Sequence, residues 1–413
     1  MYWKIRKILS NLEDPERPLL GPNLKWLQVW GLWLPKNKLK KNMYLTLNIL
    51  MFIFIFTEYI DILLNIIRSD LNQLLENMKY CMVSTVNVSK VVSFVIWQDD
   101  WKRIVKYVSE EDFERRKAQD RKARDIVTKY TKYCRTITYF YWVLVYSTIF
   151  IIILQSAIQF VVISLNENNM KNKFEVQVVS SWVPFDSNTP SRYFVKTSYQ
   201  LFALIYSAGW ITSFDTNAIA IIVFCKGEIE LLRRDTKYLF GTQANPRTKR
   251  EAKINLQECH RRHCDLIKYS RLFDSCLAPI MLLYVIVCSV MLCATAYQIT
   301  FESSALQRFI ATEYLIFGVS QLFMYCWHSN EVLYVSYDLS LGPYESIWWS
   351  RDGSEQKDIK ILTDQFKKVI VFSAGPFTEI TVATFISVSS FLLSTTGGFA
   401  IHTWSFSRLS NQK

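Results

Sequence analysis

What most constrains this chain is a series of apolar runs, several longer than the roughly 20 residues that carry a helix across a bilayer. Met43–Ile67 is the clearest first run and follows the basic stretch Lys36, Lys38, Lys40 and Lys41. Leu71–Ile96 is weaker, because Glu76, Lys79 and Lys90 interrupt it. Ile137–Leu165 is the strongest, with Ile149–Leu154 almost purely aliphatic. Tyr193–Phe224, Arg271–Ile299, Ala305–Tyr337 and Val369–Thr403 complete a set of seven. Several exceed the bilayer minimum, so tilt or extension into water is expected. Composition agrees: hydrophobic residues make up 50% and charged residues 20%, with Trp 13, Tyr 22 and Phe 27. That balance excludes a soluble enzyme and a disordered protein. The first 30 residues mix Lys4, Arg6 and Lys7 with Glu13, Asp14 and Glu16, so no signal peptide is expected. The expected class is an all-α membrane protein with seven transmembrane helices.

Orientation follows from the basic residues between the spans. Residues 1–42 carry nine Lys and Arg, 97–136 carry twelve, 225–270 carry eleven and 338–368 carry five. The connections on the other side, with the tail after His402, carry seven. The N-terminus is therefore expected in the cytoplasm and the C-terminus outside. This sense is opposite to that of a G-protein-coupled receptor, and no Asp-Arg-Tyr or Asn-Pro-x-x-Tyr signature is present. All nine cysteines fall in spans or on the expected cytoplasmic side, so no extracellular disulfide framework is implied.

The net charge of +12 invites a nucleic-acid reading. Residues 97–136, however, hold twelve basic and eight acidic side chains, as in Glu110–Lys117. Opposite signs three and four apart suit solvated helices carrying ion pairs, and mixed signs make a poor phosphate track. No nucleic-acid partner is expected, and these segments read as helices projecting below the membrane. Ile359, Leu362, Phe366 and Val369 recur at helical spacing, with Lys360, Asp364, Lys367 and Lys368 largely off that stripe. A packed cytoplasmic helix and a helix lying on the membrane surface both fit. Ser373-Ala374-Gly375-Pro376 then marks a break before the membrane half of the last span.

Cys259, His260, His263 and Cys264 offer ligand types that zinc uses. On a helix the two pairs point in different directions, and the surroundings are basic, so ring contacts at a helix interface are the preferred reading. No metal or cofactor is expected. There is no nucleophile elbow, phosphate loop or paired zinc motif, so no enzyme is expected. Asn87-Val88-Ser89 matches a glycosylation acceptor but falls inside a span. Of the ionisable residues within spans, Glu58, Asp61 and Glu331 sit near ends and are expected to be solvated. Glu313 also lies within a span, while Asp215 and Glu379 lie deeper and are expected to face a bundle interior.

The last span is unusually rich in hydroxyls: eleven Ser or Thr between Ser373 and Thr403, against five in Ile137–Leu165. Thr395-Thr396-Gly397-Gly398 adds a small, flexible patch near its outer end. Such polarity suits either a wall facing water or tight helix packing. Phe391, Phe399 and Ile401 among the hydroxyls leave room for an apolar constriction.

Several segments together resemble the insect odorant receptors. They are Gln321–Val332, Ser336 and Tyr344–Trp349, with Asp215 and Cys225–Leu232 in and after the fourth span. Ser373–Phe377, Thr384 and Phe385 echo that family's start of the last span. The resemblance covers essentially the whole chain and is strongest from 320 to 385. It implies a single seven-helix receptor domain over 1–413. Within it, 1–42 would form a cytoplasmic N-terminus and 43–337 a six-helix ligand-binding bundle with cytoplasmic extensions. Residues 338–372 would form a cytoplasmic loop and anchor helix, and 373–403 a pore-lining last helix.

The function so implied is an odorant-gated, non-selective cation channel. A ligand-tuned subunit assembles with the odorant receptor co-receptor into a heterotetramer in the plasma membrane of olfactory sensory neurons. Its expected partners are a small volatile odorant, that co-receptor, membrane lipid and permeating cations. The short 225–270 segment favours the tuning subunit over the co-receptor. The family's pocket in the outer half of the bundle maps onto Met78, Met82, Phe150, Leu154, Tyr199, Phe202, Tyr314 and Phe317. The pore maps onto Phe391, Ser394, Thr395, Gly398 and His402, and the subunit interface onto Tyr344, Trp348, Phe366 and Val369. Pro376 stands where the family often has a basic residue, and Ser394–Gly398 stand where it ends in aromatics. Gly398 and His402 would thus give this subunit a looser gate wall than its partner. A homomeric gustatory-type channel and a transporter are the rival readings.

Overall fold

The computed structural model describes Asp14, residues 17–35, 37–68, 71–117, 120–165, 174, 176–186, 189–301 and 305–390. The described residues include ten α-helices: α1 (Gly21–Val29), α2 (Lys38–Arg68), α3 (Leu71–Ile96), α4 (Gln98–Lys117), α5 (Arg121–Leu165), α6 (Pro190–Lys237), α7 (Lys249–Phe301), α8 (Ala305–Asp338), α9 (Leu341–Tyr344) and α10 (Gly353–Gln365). An eleventh, α11, begins at 382 and is helical through 390. Among the described residues, α2, α5, α6, α7 and α8 are each long and apolar enough to cross a membrane, and the bent pair α3–α4 makes a sixth span. Helix α11 opens the seventh.

At about 1.5 Å per residue, α5, α6 and α7, with 45, 48 and 53 residues, far outrun a hydrocarbon core of about 30 Å. Their charged ends therefore stand clear of it, as the charge pattern of 97–136 and 225–270 requires. Helix α4 leaves α3 at an angle of 81°. The corner is filled by Trp101, which stacks on Phe94 at 4.4 Å and donates from Nε1 to the Ser93 hydroxyl at 3.3 Å. Asp99 and Asp100 in the first turn of α4 complement its positive N-terminal dipole.

Helix α6 is the axle of the bundle and packs against α1, α3, α5, α7 and α8. Every residue from Ala208 to Cys225 is buried. Small residues permit that crowding: a Cβ on Gly209 would lie 2.0 Å from the Trp30 ring, and one on Gly227 would lie 2.6 Å from Tyr130. The segment around α1 is no free tail. Asn23 donates to the Thr216 carbonyl at 3.1 Å, Trp26 donates to the Thr212 hydroxyl at 3.1 Å, and Trp26 stacks on Trp142 at 4.5 Å.

The end of the bundle where α4, α6 and α7 meet is knitted by buried charge. Arg262 donates to Glu228 at 3.1 Å and to Asp235 at 2.5 Å, and Arg115 lies 3.5 Å from Glu228. Asp112 accepts from Arg116, from the Tyr130 hydroxyl and from the Leu19 amide. On the surface, Lys249 and the Glu355 amide both donate to Asp352, the N-cap of α10, and hold its carboxyl below its ordinary range.

The last span departs from expectation at its start. Residues 373–379 form a two-stranded antiparallel hairpin, pairing Ser373 with Glu379 and Ala374 with Thr378. Gly375 turns it with φ +65°, where a Cβ would lie 2.7 Å from Leu282. The hairpin docks on α7, with the Ser373 amide and hydroxyl donating to Asp274 at 2.7 and 2.8 Å and the Gly375 amide donating to the Ala278 carbonyl at 2.9 Å. Glu379, expected to face a bundle interior, is exposed on this hairpin. The backbone turns there, so no continuous helix carries its side chain inward.

Candidate functional site

Helices α2, α3, α5, α6 and α8 close around an apolar cavity of about 70 Å³. Met51, Phe54 and Glu58 come from α2, and Tyr80, Val83 and Ser84 from α3. Val145, Thr148, Ile149 and Ile152 come from α5, a run spaced to share one helix face. Ala203, Leu204, Ser207, Ala208 and Ile211 line it from α6, and Tyr314 and Phe317 from α8. Val179, from the segment before α6, closes the wall.

The polar groups of this wall are almost all tied back to protein. Thr148 donates to Glu313 at 2.6 Å, and the Ser207 hydroxyl accepts from Asn87 at 2.8 Å. Glu58 is the exception. It was expected to be solvated at a span end, yet it is 2% exposed. It shares the buried face of α2 with Asn48, Met51, Phe54, Ile55 and Asn65, which explains its position. Asp61, one turn on, accepts from Asn77 at 2.6 Å and is half-buried. Glu331 pairs with Lys226 at 2.9 Å, both side chains 27% exposed.

Directly against the cavity lies a buried polar knot. Asp215 accepts from Lys90 at 2.7 Å, Tyr141 at 2.6 Å, Gln321 at 2.6 Å and Tyr325 at 2.7 Å. Both members of the Lys90–Asp215 pair are enclosed, and Lys90 also lies 5.5 Å over the Phe214 ring. The interior position expected for Asp215 is what the fold provides, and donors from three helices, α3, α5 and α8, meet on its two oxygens. A smaller void of about 20 Å³ joins the two features, bordered by Val83, Ile211 and Phe317 on the cavity side and by Lys90 and Gln321 on the other.

Of the eight residues proposed from sequence for ligand contact, Tyr314 and Phe317 stand on the cavity wall. Tyr199 is one residue removed, its ring meeting Phe54 edge-on at 5.2 Å. Met78 and Met82 are half-buried on α3, beside the turn that supplies Tyr80, Val83 and Ser84. Phe150, Leu154 and Phe202 face outward, with 65%, 45% and 39% exposure. The contributions of α2 and of the 145–152 face of α5 were missed. The available signal was polar: Glu58 and Thr148 mark the inward faces of helices that are apolar all round.

Helix α8 runs from the cavity to the last helix. Below Tyr314 and Phe317, Phe323 meets Phe385 of α11 at 5.3 Å, and the Asn330 side chain accepts from the Val382 amide at 3.5 Å. The opposite face of α11, Ala383, Ile386, Ser387 and Ser390, is exposed. The pore candidates Phe391, Ser394, Thr395, Gly398 and His402 lie outside the described residues. Among the interface candidates, Tyr344 is exposed, Trp348 and Val369 are half-buried, and Phe366 is buried against His263 with ring centroids 4.7 Å apart. Cys264 and His260 are 3.7 Å apart, and no cluster of three metal-ligating side chains occurs among the described residues.

A family model described as 7tm odorant receptor matches residues 70–393. Odorant receptor Or2 of Anopheles gambiae is 25% identical over 130 residues, which cover 32% of this chain and 34% of that protein. Odorant receptor 10 of Aedes albopictus is 24% identical over 135 residues, covering 33% and 35%. The matched segments thus span about a third of these curated relatives. The structure of the insect olfactory receptor OR5 from Machilis hrabei in complex with eugenol superposes with a TM-score of 0.78 at 16% identity, covering 93% of this chain and 98% of that one. A second structure of the insect olfactory receptor OR5 from Machilis hrabei gives 0.77 at 15% identity, covering 96% and 98%. At such identities the likeness establishes the fold.

Proposed function

The chain belongs to the 7tm odorant receptor family, a multi-pass membrane family of receptors rather than enzymes, and from that premise we propose that it is the ligand-tuned subunit of an odorant-gated, non-selective cation channel. Its partner in the assembly is the odorant receptor co-receptor, its N-terminus is cytoplasmic, and its site is the plasma membrane of olfactory sensory neurons. The ligand is a small volatile molecule, held in the cavity between α2, α3, α5, α6 and α8 by burial worth about 25 cal/mol per Å² of apolar area.

One observation carries this reading: α8 bears both the cavity wall at Tyr314 and Phe317 and the seat of the last helix at Phe323 and Asn330. A ligand that fits better with α8 displaced shifts the population toward a state with α11 displaced, and by no more than its difference in affinity for the two states. The exposed 383–386–387–390 stripe of α11 supplies two hydroxyls toward a conduit shared with neighbouring subunits. Tyr344 and Trp348, which border a cytoplasmic groove of about 340 Å³ with Ile359 and Thr363, form the anchoring contact between subunits.

Expression with and without the co-receptor, with currents recorded against a panel of volatiles, tests the proposal. Cation current that requires both chains and a volatile is expected. Current from this chain alone favours a homomeric channel, and saturating substrate-coupled current without unitary openings favours a transporter.

A further inference from the structure

Among the described residues the cavity wall carries one carboxyl and no Lys, Arg or His. Glu58 is enclosed there, its Oε2 without a hydrogen-bond partner. Ser84 stands on the same wall. Of the cations nearby, Lys90 is bound to Asp215, Lys196 and Arg68 act on Asp61, and Lys79 lies 5.8 Å over the Tyr314 ring, none of them on the wall itself. A second carboxyl, Glu313, stands behind Thr148. The site therefore offers acceptor capacity without counter-charge, and an enclosed acceptor left unmatched carries a penalty that a donating ligand removes. A carboxylic acid would meet two carboxyls, and a pure hydrocarbon would leave Oε2 unmatched.

We propose that the cavity is tuned to small apolar amines, the nitrogen donating to the open Oε2 of Glu58 while the hydrocarbon part packs against Phe54, Ile152 and Phe317. This rests on the ligand-gated reading above and names the ligand class of the same cavity. The interaction is balanced: nitrogen and carboxyl share one proton, so neutral acid with free amine and carboxylate with ammonium are the same atoms with the same total charge. An amine on an acid outranks an alcohol there, because a charge-assisted bond is about twice as strong as a neutral one.

The test uses the full chain co-expressed with the co-receptor and three probes of similar size: butylamine, butanol and pentane. Two readouts run in parallel, evoked current and ligand-induced stabilisation of the purified complex. In the parent receptor butylamine is expected to act at a concentration about tenfold or more below pentane, with butanol between them. Glu58→Gln is expected to weaken butylamine by about ten- to a hundredfold and leave pentane unchanged, in both readouts. Surface level and the ligand-free melting temperature of Glu58→Gln establish that the variant folds, and Glu58→Asp serves as a second variant that keeps the acid and shifts its reach. Equal loss for butylamine and pentane, or no butylamine preference in the parent receptor, overturns the proposal. Glu58-dependent stabilisation without current in any condition supports the tuning and rejects the channel reading instead.

Discussion

The two halves of the bundle are held together by opposite means. Around the cavity, α2, α3, α5, α6 and α8 meet through apolar side chains, and the one unmatched carboxyl, Glu58, faces the space between them. At the other end of the bundle α4, α6 and α7 carry buried charge, with Arg262 of α7 between Glu228 and Asp235 of α6 and Arg116 on Asp112 within α4. Apolar contacts are non-directional and let helices shift by fractions of an ångström, whereas hydrogen-bonded ion pairs fix them in register. Under the proposed reading, the deformable half takes the ligand and the rigid half anchors. The Asp215 knot sits where the two regimes meet.

The largest effect expected from testing this contrast comes at the knot. Asp215→Ala strands Lys90 and removes the acceptor of Tyr141, Gln321 and Tyr325, a loss of about 3–5 kcal/mol. Detergent-solubilised receptor should melt far below the parent, and surface labelling should nearly vanish. Normal surface level would mean that the knot does not join the halves. Next, Arg262→Ala leaves Glu228 and Asp235 facing each other without their shared cation, at a cost of about 3 kcal/mol. Melting temperature should fall while the surviving channels keep their ligand sensitivity. A selective change in sensitivity would erase the division of labour.

A smaller effect is expected on the cavity side. Phe317→Ala should move the dose–response midpoint by about tenfold, roughly 1.4 kcal/mol, with surface expression retained. Loss of expression would class Phe317 with the knot. Smallest of all, Lys249→Ala removes an exposed ion pair with Asp352, and no measurable change in melting temperature is expected.

Much of this is legible in the sequence, for a physical reason. The bilayer sets a length, so the spans, their order and the charged extensions of the long helices follow from where the apolar runs begin and end. Asp215 was legible as well, because a charge at that depth must face protein. Which face of each helix points inward was not. In water the apolar stripe marks the core, but lipid accepts apolar side chains equally. On α2, Ile53, Phe56 and Leu63 are exposed while Asn48, Glu58 and Asn65 are buried. On α5 the same ambiguity made the large residues Phe150 and Leu154 attractive, although the inward face is Val145, Thr148, Ile149 and Ile152. The hairpin at 373–379 was half legible: Gly375 and Pro376 announced a break, but its docking on Asp274 and Ala278 depends on a partner about 100 residues away.

The account turns on whether the space between α2, α3, α5, α6 and α8 is where ligand acts. Ala203 is fully buried on its wall, so Ala203→Phe puts a ring into the cavity itself. The decisive measurement is the current evoked by an active volatile in cells expressing that variant with the co-receptor, compared at matched surface level with the parent. The response is expected to be lost or displaced beyond about a hundredfold in concentration. A dose–response curve superimposable on the parent would place the ligand elsewhere and contradict the account.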